Sequence, residues 1–280
     1  MASSNPVLCG SIAARPGSFG VAMHTAAYRA LGLNFVYVAF GTEETAGAMA
    51  AMRALGIRGL GLTMPHKVRA IEHLDALSPE ARAIGAVNTV VNEDGRLVGH
   101  NVDWTGAVRA FSEGLSVRGC RAAVIGAGGG ARAMVYGLVR EGAAVTVFNR
   151  SKETGEAVAR ELGASDGGPP EALGENHGFD LIAHATPVGF DDPASMLVPE
   201  AALRPPVVVF DAVPKPVKTR LLLEAEGRGC RTIPGVRMQL HQAAEQFRLY
   251  TGQAPDLAVM ERALEAATAA ASAASRGPQG

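Results

Sequence analysis

The chain has 280 residues, 48% of them hydrophobic and 19% charged, with 26 Lys and Arg against 27 Asp and Glu. That length predicts two domains, and the balanced charge argues against intrinsic disorder and against nucleic acid as a partner. No stretch reaches the roughly 18 uninterrupted apolar residues of a membrane span, and no basic-then-apolar leader opens the chain, so it reads as cytoplasmic with no membrane partner.

Taken in chain order, short apolar runs at 35–40, 59–64, 122–125, 145–148, 181–185 and 207–213 read as buried strands, with helical patterns between most of them. Strands alternating with helices predict parallel sheets built from right-handed βαβ units. The exception is the pair 86–92 and 96–100, joined through Asn92-Glu-Asp-Gly95, which reads as a β-hairpin at the edge of the first sheet. Residues 102–115 have helical spacing, 238–250 and 256–273 read as two further helices, and 276–280 as a frayed tail. Cys9, Cys120 and Cys230 are odd in number, far apart and without CxxC spacing, which points to small core residues rather than disulfides or zinc. The seven histidines (24, 66, 73, 100, 177, 184 and 241) show no HxxxH or HExxH grouping, so no metal is expected.

The run Val124-Ile-Gly126-Ala-Gly128-Gly129-Gly130-Ala131 follows an apolar strand and opens a helix, matching G-x-G-x-x-A. Gly126 permits a tight turn, Gly128 lets backbone approach a pyrophosphate, and Ala131 lets helix and sheet pack closely while the helix N-terminus faces the phosphates. Alone the pattern is weak; with the strand, the helix and the next strand in place it predicts a Rossmann unit. The next strand ends in Phe148-Asn149-Arg150-Ser151-Lys152, with no acid to receive a ribose 2′-hydroxyl. An Arg, a Ser hydroxyl and a Lys suit a 2′-phosphate dianion instead, so the expected cofactor is NADP.

In the first half, Gly61-Leu-Thr63-Met-Pro65-His66-Lys67 places Thr and Lys at the end of a buried strand, where open α/β sheets bind ligands. Ala86-Val-Asn88-Thr89 and His100-Asn101-Val-Asp103 add an amide and a carboxylate. Singly each is ordinary: Lys67 as a solvated cation, Asp103 as a helix cap, Asn88 as a turn residue. In this order and spacing they resemble the shikimate dehydrogenase family, as do Met23-His24, Ala185-Thr186-Pro187-Val188-Gly189-Phe190 and Gly235-Val-Arg-Met238-Gln-Leu-His-Gln242.

The resemblance implies an α/β fold: an N-terminal α/β substrate domain with a mostly parallel sheet, plus a Rossmann NADP-binding domain, separated by a cleft. Residues 1–104, completed by helices at 239–275, would form the substrate-binding and catalytic domain, and 105–238 the NADP domain. The implied activity is reversible NADP-dependent reduction of 3-dehydroshikimate to shikimate or a close analogue, on the shikimate route to chorismate and the aromatic amino acids. Lys67 and Asp103 would be the catalytic pair. Thr63, Asn88 and Gln242 would bind substrate hydroxyls, Ser18 the substrate carboxylate, and Thr186, Gly235 and Met238 would lie by the nicotinamide. Lysine, with a reference pKa of about 10.4, is a competent proton donor to a ketone oxygen at neutral pH.

Three segments depart from the family pattern. Its usual Ser-x-Ser pair is here Ser18-Phe19-Gly20, with Arg15 nearby; Pro214 stands where a Tyr is common; and Asn101-Val102-Asp103-Trp104 replaces Asn-Thr-Asp-Gly. Losing two polar groups predicts weakened or altered shikimate activity, with quinate or an aminoshikimate as the alternative substrate. A non-catalytic NADP-binding protein is the reading from another class, and retention of Lys67 and Asp103 counts against it. The oligomeric state is not legible in one sequence, and a homodimer stays open.

Overall fold

The computed structural model describes residues 5–175 and 178–275, so His177 and the tail expected at 276–280 lie outside the described residues. The elements in chain order are β1 (Val7–Ala13), α1 (Phe19–Ala30), β2 (Phe35–Gly41), α2 (Thr45–Ala54), β3 (Gly59–Leu62), α3 (His66–Arg69), β4 (Ala76–Leu77), α4 (Pro79–Ile84), β5 (Thr89–Glu93) and β6 (Arg96–His100). They continue with α5 (Asp103–Ser112), β7 (Arg121–Ile125), α6 (Gly129–Arg140), β8 (Ala144–Phe148), α7 (Lys152–Leu162), β9 (Ser165–Gly168) and β10 (Leu181–His184). The last are β11 (Val208–Asp211), α8 (Arg220–Gly227), β12 (Arg231–Pro234), α9 (Gly235–Thr251) and α10 (Leu257–Ser275). The chain forms two compact units: one from the residues up to Val102 and from Gln242 onward, the other Asp103–His241. Among the described residues no helix is long and apolar enough to cross a membrane.

The first unit is a six-stranded sheet in the order β2-β1-β3-β5-β6-β4, in which β5 alone runs against its neighbours. The hairpin forms as the sequence predicts, its two-residue Asp94-Gly95 turn held at φ of 52° and 93° and closed by a 2.7 Å bond from the Gly95 amide to Asn92 Oδ1. It is one strand in from the edge, however, because the two-residue β4 pairs outside β6. A strand that short carries no readable alternation, and its partner is 22 residues away in register. Helix α4 shows local signals clearly: Ser78 caps it by accepting from the Ala81 amide, Pro79 opens it, and Gly85 ends it in the left-handed region at φ 73°.

Ile12, Leu60, Leu62, Val90 and Leu97 face Met49 and Met52 of α2 across one side of this sheet. A second cluster gathers His24 and Tyr28 of α1, Tyr37, and Phe247 and Tyr250 of α9. His24 stacks on Tyr37 at 4.2 Å and 4°, fully buried, and among the described residues neither ring nitrogen has a hydrogen-bond partner. Burial pushes its pKa down to about 3. The folded state therefore refuses a proton that the unfolded chain takes up below about pH 6.5, so stability rises with pH across that range. Unfolding free energy is expected to fall by about 1.4 kcal/mol per pH unit from about 6.5 downward through this one group. Urea midpoints from pH 7 to 4.5 read it, and His24→Phe, which keeps the stack but cannot titrate, should flatten that limb. An equal slope in the variant would assign the acid sensitivity elsewhere.

The second unit is a doubly wound sheet, β9-β8-β7-β10-β11-β12, every neighbour parallel. Counted along the unit this is the order 3-2-1-4-5-6, with the switch point between β7 and β10. Alternate residues of β7 serve opposite cores: Ala122 and Val124 pack with Phe111, Met134 and Leu138, while Ala123 and Ile125 pack with Leu221 and Leu222. Helix α9 is tied to the end of α5 by the Glu113 carboxylate, which accepts from Arg237 Nε and a terminal nitrogen and from His241 Nε2, each at 2.7 Å.

Candidate active site

In the first unit the chain leaves β3 and turns immediately. The Thr63 amide donates to Ile12 at 3.2 Å and the His66 amide to the Thr63 carbonyl at 2.8 Å, so the turn that carries Lys67 is pinned to the sheet. His66 is buried, with Nε2 2.9 Å from the Thr42 carbonyl and Nδ1 2.8 Å from Thr45 Oγ1. A carbonyl only accepts, so Nε2 carries the proton. Both ring nitrogens are thereby committed, which makes His66 the anchor of the Lys67 turn and no proton relay. Lys67 itself is half-buried, and its carbonyl receives the Val87 amide at 2.7 Å.

Val87 leads into Asn88, whose buried Oδ1 accepts from Thr89 Oγ1 at 2.9 Å and from the Val102 amide at 2.8 Å. Any ligand contact of Asn88 therefore runs through its Nδ2 donor. One turn beyond the half-buried Gln242, the buried Gln246 donates Nε2 to Thr89 Oγ1 at 3.0 Å, completing a Gln246–Thr89–Asn88 chain that fixes the amide. Ser18 sits at the N-cap of α1, exposed, yet its hydroxyl makes no capping bond. Two residues on, a Cβ added at Gly20 would lie 3.5 Å from the Tyr37 hydroxyl. The side-chain space vacated at Gly20 thus abuts another hydroxyl, one that sequence spacing could not have supplied. Arg15 is exposed in the same loop.

In the second unit Asp103, 1% exposed, opens α5. Trp104, beside it, packs edge-on to Tyr136 with the Arg140 guanidinium 5.1 Å above its ring. The fingerprint residues differ in their surroundings. Gly126 takes φ 118° and a Cβ there would meet Thr186 Cγ2 at 3.0 Å, so the turn excludes any side chain. Gly128, the N-cap of α6, and Gly130 face open space, as a backbone cradle for phosphates requires, with Gly129 between them and Ala131 fully buried beneath. These features fit a dinucleotide.

At the tip of β8, Asn149 donates Nδ2 to the Ser151 carbonyl at 2.8 Å. The Ser151 hydroxyl is shared with Thr154 at 2.9 Å and Glu153 at 3.3 Å, and Lys152 leans to Glu156 at 3.8 Å. Arg150 is exposed and, among the described residues, makes no side-chain bond or ion pair. On the far side of the switch point, Thr186 follows β10. Gly235 opens α9, where a Cβ would strike the Ala212 carbonyl at 2.6 Å, and Met238 is buried in the Rossmann core.

This arrangement can be set beside known proteins. Residues 16–90 match the model of the shikimate dehydrogenase substrate binding domain, and residues 235–265 that of the shikimate 5'-dehydrogenase C-terminal domain. The shikimate dehydrogenase (NADP(+)) of Thermococcus kodakarensis is 45% identical over 249 residues, 88% of this chain and 91% of the relative. The chain belongs to the shikimate dehydrogenase family. Its structural neighbours agree: shikimate 5-dehydrogenase of Thermus thermophilus, solved with NADP(H) and shikimate, superposes with TM-score 0.85 at 36% identity, covering 93% of this chain and 99% of that one. Quinate dehydrogenase of Corynebacterium glutamicum, solved with NAD, gives TM-score 0.82 at 31% identity, covering 94% and 100%. Within the family's fold, sequence reasoning missed Gln246, Tyr37, and a buried His184–Asp211 pair at the ends of β10 and β11. Each acts through a partner distant in sequence, and the available signal was only a polar residue inside an otherwise apolar element.

Proposed function

We propose that this protein catalyses the NADP-dependent interconversion of 3-dehydroshikimate and shikimate, or of a close polyhydroxy carboxylate analogue, in the cytoplasm. The observation that carries the reading is Lys67, held at the C-terminal end of β3 by a fully committed His66 within the segment that matches the substrate-binding family model. The unit up to Val102 and from Gln242 onward takes the substrate role, and Asp103–His241 the cofactor role.

NADPH, when bound, supplies a hydride for the ring carbonyl carbon. Lys67 Nζ gives the proton to the carbonyl oxygen, which becomes the hydroxyl. Asp103 accepts a hydrogen bond from that hydroxyl and orients it for the reverse direction. Thr63, Asn88 through Nδ2, and Gln242 hold ring hydroxyls; Ser18 takes the carboxylate, with the Tyr37 hydroxyl standing in for the one absent at Gly20. Gly126, Gly128, Gly129, Gly130 and Ala131 cradle the pyrophosphate, Asn149, Arg150, Ser151 and Lys152 receive the 2′-phosphate, and Thr186, Gly235 and Met238 border the nicotinamide.

An absorbance assay at the NADPH band with shikimate, quinate and an aminoshikimate, each with NADP and with NAD, tests the proposal. Turnover of shikimate with NADP is the expected result; preference for quinate would favour the second reading, which Pro214 and the quinate dehydrogenase neighbour support. Binding without turnover on all three would overturn it. Tyr37→Phe, removing one charge-assisted hydrogen bond to the substrate carboxylate, is expected to raise KM about tenfold to a hundredfold with kcat nearly unchanged. A KM within twofold of the unmodified enzyme would remove Tyr37 from substrate binding.

A further inference from the structure

β10 and β11 run parallel with His184 and Asp211 in register at their ends, and there they carry a buried chain of polar side chains that the nucleotide fingerprint does not use. Asp211 Oδ1 lies 2.9 Å from His184 Nδ1 and 3.1 Å from the Val213 amide nitrogen, and Oδ2 lies 2.6 Å from Thr219 Oγ1. His184 and Asp211 are 2% and 1% exposed. At the other end of the ring, His184 Nε2 is 2.5 Å from Thr186 Oγ1, which also receives the Val188 amide at 3.3 Å.

For a neutral His184 ring the directions of these bonds follow from the first link. A carboxylate only accepts, so Asp211 draws the imidazole proton to Nδ1. A ring with its single proton on Nδ1 has a lone pair on Nε2, and the Thr186 hydroxyl must donate into it. The hydroxyl hydrogen is thus turned inward, and what Thr186 offers outward is a lone pair. Without His184 the hydroxyl would be free to rotate and to donate as readily as accept.

Position selects the ligand group. Thr186 stands against the Gly126 turn, and β10 flanks β7 on the side away from β8. In a 3-2-1-4-5-6 sheet a dinucleotide lies across that switch point, its adenosine half toward β8 and its nicotinamide half toward β10. The nicotinamide half has ribose hydroxyls, which both donate and accept, and a carboxamide whose NH2 only donates. A fixed acceptor matches the group that only donates. We infer that the Asp211–His184 pair locks Thr186 as a hydrogen-bond acceptor for the carboxamide NH2 of the nicotinamide, making His184 and Asp211 positioning residues for the cofactor's reacting ring. The inference rests on the NADP reading proposed above.

The test compares binding of NADP+ with that of its 3-acetylpyridine analogue, whose methyl ketone lacks the NH2, using 2′,5′-ADP as a control that carries no nicotinamide. The unmodified protein is expected to prefer NADP+ over the analogue by about threefold to tenfold, the worth of one neutral hydrogen bond. Thr186→Val and His184→Phe should each abolish that preference, the double variant should lose nothing further, and Thr186→Ser should keep it. Affinity for 2′,5′-ADP should stay unchanged in all four, which a general loss of structure would not allow. Independently of any variant's folding, the ¹⁵N spectrum of the unmodified protein should show His184 protonated on Nδ1 and bare on Nε2. A proton on Nε2, or a preference that survives in Thr186→Val or in a folded His184→Phe, overturns the inference. If 2′,5′-ADP binds but the unmodified protein shows no preference, the inference fails while the NADP reading stands; if neither 2′,5′-ADP nor NADP+ binds, the NADP reading itself fails.

Discussion

Replacing Lys67 with methionine is expected to lower kcat for shikimate oxidation and 3-dehydroshikimate reduction by a factor of about 10²–10⁴, the usual contribution of a positioned general acid–base. Methionine keeps most of the aliphatic stem, and the turn beneath is held by backbone hydrogen bonds and by His66. The fold should therefore persist, and NADP+ affinity should be unchanged because the residues proposed to hold the cofactor lie in the other unit. Lys67→Arg should not rescue activity, since guanidinium keeps its proton through any accessible pH and cannot take one up in the oxidative direction. Steady-state rates in both directions, with NADP+ binding measured beside them, decide the matter. Loss of less than tenfold in kcat with intact cofactor binding would move the proton transfer to another group and leave Lys67 a substrate-binding cation.

Much of this site was legible because its carriers are local. A glycine-rich turn between an apolar strand and a helix declares itself within ten residues, as does Asp94-Gly95 between two alternating runs. The strands that escaped notice lack such marks. β9 reads Ser165-Asp-Gly-Gly168 and pairs with β8 at the sheet edge, so tertiary pairing makes a strand of residues with poor β propensity. β1 holds Gly10 at a point where a Cβ would stand 2.3 Å from the Val38 carbonyl of the neighbouring strand, a constraint invisible until β1 and β2 are known to be adjacent. The same holds for function. Asn88 could be read as a candidate ligand from its motif, but that its Oδ1 is committed to Val102 and steadied by Gln246, 158 residues away, depends on the packing of α9 against β5. His184 and Asp211 lie 27 residues apart and meet because β10 and β11 are parallel neighbours in register. Strand order, not composition, brings such pairs together.

Cofactor choice gives the other large effect. Arg150→Ala is expected to raise the Kd for NADP+ by about 10-fold to 100-fold, the range of charge-assisted hydrogen bonds to phosphate, and to leave NAD+ within about twofold. Arg150 carries this weight because its neighbours are already engaged: Ser151 with Thr154 and Glu153, Asn149 with the Ser151 carbonyl, Lys152 with Glu156. Lys152→Ala should accordingly cost less, because the ammonium already has a carboxylate partner on an exposed helix turn. Since Arg150 is exposed, its attraction for the dianion is screened, and raising ionic strength from 50 to 500 mM should narrow the NADP+ over NAD+ preference of the unmodified protein more than that of Arg150→Ala. Adding Asn149→Asp to Arg150→Ala puts an acid at the tip of β8, where it can accept from a ribose 2′-hydroxyl and repel a 2′-phosphate, so the double variant should favour NAD+. Titrations of both nucleotides against the unmodified protein and the three variants read all of this. An Arg150→Ala protein that still discriminates as the parent does would mean the 2′-phosphate is held by backbone amides at the α7 N-terminus rather than by the Arg150 guanidinium.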